Sequence, residues 1–265
     1  MDFAFSEMME KVRLKHPLVH HITNYVTVND CANICICSGG SPVMTDERKD
    51  IEDMVAISNA VVLNMGTLNE RTVESMLLAG MTAKKCGVPV IFDAVGAGAT
   101  KYRNSTAYSI ITKVRPDIIK GNSGEISFLA GIEGSVRGVD STGSSEDSKD
   151  IIAELAKRYE CVVVSTGKVD YVSDGKDTYE LTNGDDLEGC VSGTGCMLSS
   201  VIGSYVGANG VSVGSAMAAI TAFNIAAEHS AKISKGPGSF KVSLFDCLFS
   251  LGSDSIDKEA KVRKV

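Results

Sequence analysis

Four places in the chain set reactive side chains beside glycine. Residues 88–92 (VPVIF) run into Asp93, with Gly96 and Gly98 just beyond it. An acidic residue ending an apolar run before a glycine turn can hold a magnesium ion and admit phosphate oxygens. The same pattern also serves as a plain turn closed by an Asx bond. Residues 117–120 (DIIK) lead into Gly121-Asn122-Ser123-Gly124-Glu125. Asn122 and Glu125 have the spacing of a helix cap and its reciprocal carboxylate; they also put a carboxylate and the Lys120 charge near any metal–phosphate group. Residues 161–165 (CVVVS) run into Thr166 and Gly167, where the hydroxyl either bonds a nucleotide phosphate or closes a turn. The most specific signal is Gly193-Thr194-Gly195-Cys196 at the start of a long helix. Glycine lets a ligand approach the backbone there, and unpaired N–H groups at a helix start attract anions. A thiol in that first turn is expected to have a lowered pKa.

These parts are what phosphoryl transfer needs, because its catalysis is mostly positioning and charge neutralisation. The glycines follow neither the dinucleotide fingerprint nor the phosphate-loop pattern ending in Gly-Lys-Ser/Thr. Other polar and sulfur-bearing residues carry less. His20 and His21 are adjacent and would point to opposite faces of a strand, each as a hydrogen-bonded polar side chain rather than a metal ligand. Met44 stands in a Pro-stiffened loop (41–45), either as core or lining a pocket for a flat ring.

The elements that must position these residues follow from hydrophobic spacing. Runs 60–63, 88–92, 117–120 and 161–165 are short, apolar and β-branched, as expected of strands covered on both faces. Helical patterns lie between them. Val73, Met76, Leu77, Gly80 and Met81 mark one helix face, and Ile151, Ile152, Leu155, Ala156 and Tyr159 another. The alternation gives an α/β fold with a mostly parallel sheet flanked by helices, and ligands then bind at the carboxyl ends of the strands. A hairpin is expected around Asp174-Gly175. After Gly193 the chain reads as long helices rich in Ala, Gly and Ser, the last starting after Gly238-Ser239. The polar stretch 134–147 reads as a surface loop.

With 265 residues the chain fits one large domain, 1–265, and its net charge of −7 argues against a nucleic-acid partner. No signal peptide and no membrane span is apparent. The eight cysteines fall mostly in apolar runs, which fits free thiols in a reducing cytoplasm.

Eight segments in order, PLVHHITNYVTVNDCAN (17–33), GGSPVM (39–44), LNMGTL (63–68), DAVGAGAT (93–100), IIKGNSGEI (118–126), STG (165–167), GTGCM (193–197) and GPGSF (236–240), resemble the hydroxyethylthiazole kinase family over nearly the full length. The resemblance implies a ribokinase-like three-layer α/β/α fold without a separate lid. It implies transfer of the ATP γ-phosphoryl group to 4-methyl-5-(2-hydroxyethyl)thiazole, for thiamine synthesis or salvage, with magnesium. It places Asn24, Met44 and Gly193 at the substrate and Lys120, Asn122 and Thr166 at ATP. Asp93 and Glu125 fall at the metal. Cys196 stands where related sugar kinases carry an aspartate base. The family usually has Arg at Lys120; here the charge stays and the bidentate fork is lost. The resemblance also implies a homotrimer with active sites between subunits. One alternative is a hydroxymethylpyrimidine phosphate kinase, whose glycine-rich opening with a Ser-Asp pair is missing here. Another is a non-catalytic thiazole-binding trimer.

Overall fold

Short β-branched runs too apolar to face water on either side must be covered twice, and they are. The computed structural model describes residues 4–131 and 145–265. Its elements are α1 (Phe5–Lys15), β1 (Leu18–Ile22), α2 (Val28–Ser38), β2 (Ser41–Met44), α3 (Arg48–Ile57), β3 (Ala60–Asn64), α4 (Glu70–Cys86), β4 (Val90–Asp93), α5 (Lys101–Val114), β5 (Ile118–Asn122), α6 (Ser123–Ala130), α7 (Ser145–Tyr159), β6 (Val162–Thr166), β7 (Asp170–Ser173), β8 (Thr178–Leu181), α8 (Thr194–Asn209), α9 (Val213–Ile233), α10 (Pro237–Ser250), α11 (Ser253–Glu259) and β9 (Val262–Lys264). They form one sheet in the order β2-β1-β3-β4-β5-β6-β7-β8-β9. The pairs from β2 to β6 are parallel. From β6 to β9 they are antiparallel.

Strand side chains alternate between two cores. Val62, Ile91 and Ile118 pack with α1, α2, α8, α9 and α10. Val61, Phe92 and Ile119 pack with the helices α3 to α7. The result is a three-layer α/β/α sandwich, with the small-residue helices α8 and α9 buried along most of their length.

Several expectations need correction. The Pro-stiffened segment 41–45 is mostly strand β2. It lies at the sheet edge, where Pro42 costs no ladder hydrogen bond. The buried residues of α4 are Thr72, Ser75, Met76, Ala79, Gly80, Thr82 and Ala83, while Met81 is exposed; small residues predominate on the buried face. Helix α10 starts earlier than expected, with Pro237 in its first turn, where the missing N–H has no cost. The hairpin at Asp174-Gly175 forms as β7–β8. The stretch 134–147 lies outside the described residues except where α7 begins at Ser145.

Candidate active site

Period-two alternation and parallel register together build the site. Asn64 pairs with Asp93 across β3 and β4, and Asp93 pairs with Lys120 across β4 and β5. All three have the parity of Val62, Ile91 and Ile118, so they form one row on the face covered by α8. The row lies at the carboxyl ends of the strands, and the first turn of α8 stands over it. Lys120 is 4% exposed; its Nζ donates to Gly195 O at 2.8 Å and lies 3.3 Å from Asp93 Oδ1. Burial works against the Lys120 charge, but Asp93, then Cys196 and Glu125, outweigh it and hold its pKa above the usual lysine value.

Asp93 was expected at a metal. The structure buries it completely, and Oδ2 accepts from Asn64 Nδ2 at 2.8 Å and from Ser199 Oγ at 2.7 Å. With Lys120 at Oδ1, both oxygens are engaged inside the protein. Glu125 is placed differently. Its Oε2 accepts from Asn122 N at 2.7 Å in a complete capping box, and its Oε1 accepts from Gly96 N at 2.6 Å. The carboxylate therefore ties the glycine turn after β4 to the one after β5. Burial raises the Glu125 pKa, and Asp93 adds to the rise against the two backbone donors and Lys120. Among the described residues no group of three or more His, Cys, Asp or Glu could hold an ion by itself. A magnesium ion that arrives with ATP needs only one or two carboxylates besides phosphate and water. Glu125, only partly buried beside the two glycine turns, fits that requirement, whereas Asp93 is fully buried among Lys120, Asn64 and Ser199.

Cys196 Sγ accepts from Asn24 Nδ2 at 3.3 Å and from Asn64 Nδ2 at 3.2 Å. The expected lowering of its pKa is overturned. Burial first, and Asp93 second, push the thiol up, against the pull of Lys120 and the two amides. Desolvation of the sulfur outweighs its place in the first turn. Gly193 is the N-cap of α8 at φ +92°, and no side chain caps the helix. A Cβ at Gly193 would sit 2.1 Å from Thr27 Cγ2, so the Thr27 methyl fills the space a side chain would need.

One position further across the sheet, Asn122 pairs with Thr166. Thr166 Oγ1 donates weakly to Gly121 O at 3.4 Å, and Gly167 N donates to buried Asp170 at 2.9 Å. Met44 is apart from this network. It lines a cavity of about 250 Å³ with Tyr25, Val28, Thr67 and the Asp46–Arg71 ion pair. Cys196, Asn24 and Gly193 do not line it, but Val28 follows Thr27, which packs on Gly193. His20 and His21 are buried; each bonds one backbone carbonyl, and its other ring nitrogen has no partner among the described residues.

The network thus gathers Asn24, Asp93, Lys120 and Cys196, with Gly193 and Glu125 at its edges. Sequence reasoning missed Asn64, Ser199 and Arg103. Asn64 directly follows the run 60–63, so the strand-end rule applied there would have found it. Arg103 gave no local signal; its guanidinium donates to the carbonyls of Met65, Gly66 and Val95 and holds two site turns together.

A model of the hydroxyethylthiazole kinase family matches residues 9–254. The chain belongs to the hydroxyethylthiazole kinase family. It is 48% identical to a hydroxyethylthiazole kinase of Methanocorpusculum labreanum over 97% of each chain, and 47% identical to one of Methanocella arvoryzae over 98% of each. The solved hydroxyethylthiazole kinase of Pyrococcus horikoshii OT3 superposes with a TM-score of 0.91 at 39% identity, covering 98% of both chains. A ribokinase-like superfamily protein of Enterococcus faecalis shares the fold alone, at TM-score 0.67 and 12% identity over 92% of this chain and 93% of that one. The ribokinase-like α/β/α architecture and the kinase character of this hydroxyethylthiazole kinase family member are thereby established. Among the described residues, no helix is long and apolar enough to cross a membrane.

Proposed function

We propose that the chain transfers the γ-phosphoryl group of ATP to the hydroxyl of 4-methyl-5-(2-hydroxyethyl)thiazole, for thiamine synthesis or salvage, as a single domain in the cytoplasm. The observation that carries this reading is the row Asn64–Asp93–Lys120 set against Cys196 at the glycine-opened start of α8. Cys196 holds the acceptor hydroxyl beside the uncapped N–H groups of α8, which face the charge that develops on the transferred group. Asn24 and Gly193 bound the substrate there, and Met44 closes the adjoining cavity. Lys120 holds the Gly195 carbonyl and adds positive charge. Asn122 and Thr166, neighbours across β5 and β6, face the nucleotide.

Glu125 would hold magnesium, directly or through water. When bound, magnesium neutralises phosphate charge. Asp93 is the buried counter-ion of Lys120 rather than a ligand. The hydroxyl oxygen forms its bond to phosphorus as ADP leaves. Its proton departs late, as a loose transition state allows, to an oxygen of the transferred phosphoryl group, because a thiol kept protonated by burial cannot accept it at the outset. Tyr25 (79% exposed) lines the cavity, Val26 (58% exposed) follows it, and the two support a homotrimer in which a second copy covers them.

The test is an ATP-coupled assay comparing the thiazole alcohol with hydroxymethylpyrimidine. Turnover of the thiazole alcohol is expected. Turnover of the pyrimidine alone, or binding without turnover, would overturn the reading. Cys196→Ala should lower kcat by about 10²–10⁴-fold, the usual range for a positioned acid–base group. Sedimentation checks the trimer.

A further inference from the structure

The hydrogen bonds around Cys196 have a definite polarity, and two backbone N–H groups set it. Asn24 Oδ1 accepts from Thr27 N at 3.1 Å and Thr27 Oγ1 at 3.0 Å, so its Nδ2 must be the atom facing inward. Asn64 Oδ1 accepts from Gly66 N at 2.9 Å and from Asn24 Nδ2 at 3.0 Å. Its Nδ2 is therefore the atom that faces Asp93 and Cys196. A backbone N–H can only donate, so flipping either amide would set its NH2 donors against that N–H. Each amide nitrogen has two hydrogens. Asn24 spends them on Asn64 Oδ1 and Cys196 Sγ; Asn64 spends them on Asp93 Oδ2 and Cys196 Sγ. The sulfur thus receives two donors from the β3 side and the loop after β1.

We infer that Asn64 is a positioning residue for phosphoryl transfer: with Asn24 it occupies the inner side of Cys196 Sγ and leaves the sulfur's open side for the substrate hydroxyl. Asn64 also joins the thiol to the Asp93–Lys120 pair, since one amide nitrogen touches both Asp93 and Cys196. This rests on the kinase reading above, which places the hydroxyl at Cys196. The titratable groups facing the sulfur are Asp93 on β4, Lys120 on β5 and Cys31 on α2. Asn64 and Asn24 are the uncharged groups that counter the repulsion from Asp93.

The experiment combines kinetics with thiol labelling on the whole chain. Iodoacetamide modification of Cys196, followed by mass spectrometry of its peptide across pH, reads the thiol directly. In Asn64→Ala the labelling midpoint should move to higher pH, because a donor to the ionised sulfur is gone. In the ATP-coupled assay kcat should fall about 3- to 10-fold, the loss expected for one hydrogen bond to a neutral group, with KM for the alcohol within about threefold. In a Cys196→Ala background the same substitution should change kcat by less than about twofold, since Asn64 acts through the sulfur. An equal fall in both backgrounds, or an unmoved labelling midpoint, would overturn the inference. If Asn64→Ala does not fold, Asn24→Ala removes the other donor and must shift the midpoint in the same direction. If the wild type does not phosphorylate the alcohol, the kinase reading fails while the labelling shift still decides whether Asn64 controls the thiol.

Discussion

The Lys120 ammonium lies 2.8 Å from the carbonyl oxygen of Gly195, inside the glycine turn that opens α8. One buried cation therefore links the end of β5, the Asp93 carboxylate and the anion-binding helix start. Lys120→Met would leave Asp93 buried with no counter-charge. The expected loss is about 3–5 kcal/mol of stability, measured by urea unfolding. Adding Asp93→Asn should recover part of that loss. No recovery would mean that the lysine acts mainly through Gly195.

The Gly193 turn has a steric test. Alanine there must adopt φ +92° and place its Cβ against the Thr27 methyl. Gly193→Ala should cost at least about 1–2 kcal/mol from the left-handed backbone alone and depress turnover of the alcohol. Adding Thr27→Ser removes the clashing methyl and should restore part of the thermal stability, leaving the backbone strain. Equal melting temperatures for the single and double variants would place the cost elsewhere.

Glu125→Gln removes the charge and keeps one acceptor oxygen, enough for the Asn122 or the Gly96 N–H but not both. The free magnesium needed for half-maximal rate should rise by about tenfold or more. ADP release followed across magnesium concentrations checks this, and an unchanged requirement would remove Glu125 from the metal.

Glu188, in the single turn before α8, predicts a pH effect. Burial, with Asp170, Asp185 and Glu228 nearby, pushes its pKa from 4.5 up to about 8 despite the Asp185 N–H donor. The unfolded chain releases this proton near 4.5 and the folded one near 8, so the folded state binds more protons in between. Stability is therefore full below about pH 4.5 and declines as pH rises towards about 8, by on the order of 2–4 kcal/mol. Glu188→Gln can still accept from Asp185 N. It should flatten that slope and be the more stable protein at pH 8, as denaturant unfolding at pH 5 and pH 8 would read.

The sequence by itself determined the layers and the edge that binds. β-Branched runs such as 60–63 and 161–165 cannot be solvated, so they became strands covered on both sides. Asn122 and Glu125 form their cap because a capping box is a three-residue, local interaction. The glycine-opened helix at Gly193 was legible for the same reason. Tertiary structure alone decided which side chains meet. Asn64, Asp93 and Lys120 are 29 and 27 residues apart, and only the register of β3, β4 and β5 sets them in one row. That row gives Asp93, expected at a metal, a buried lysine counter-ion. The thiol of Cys196 likewise escaped local reasoning. A helix start favours its ionised form, but burial under distant segments and the nearness of Asp93 act more strongly, and both exist only once the chain has folded.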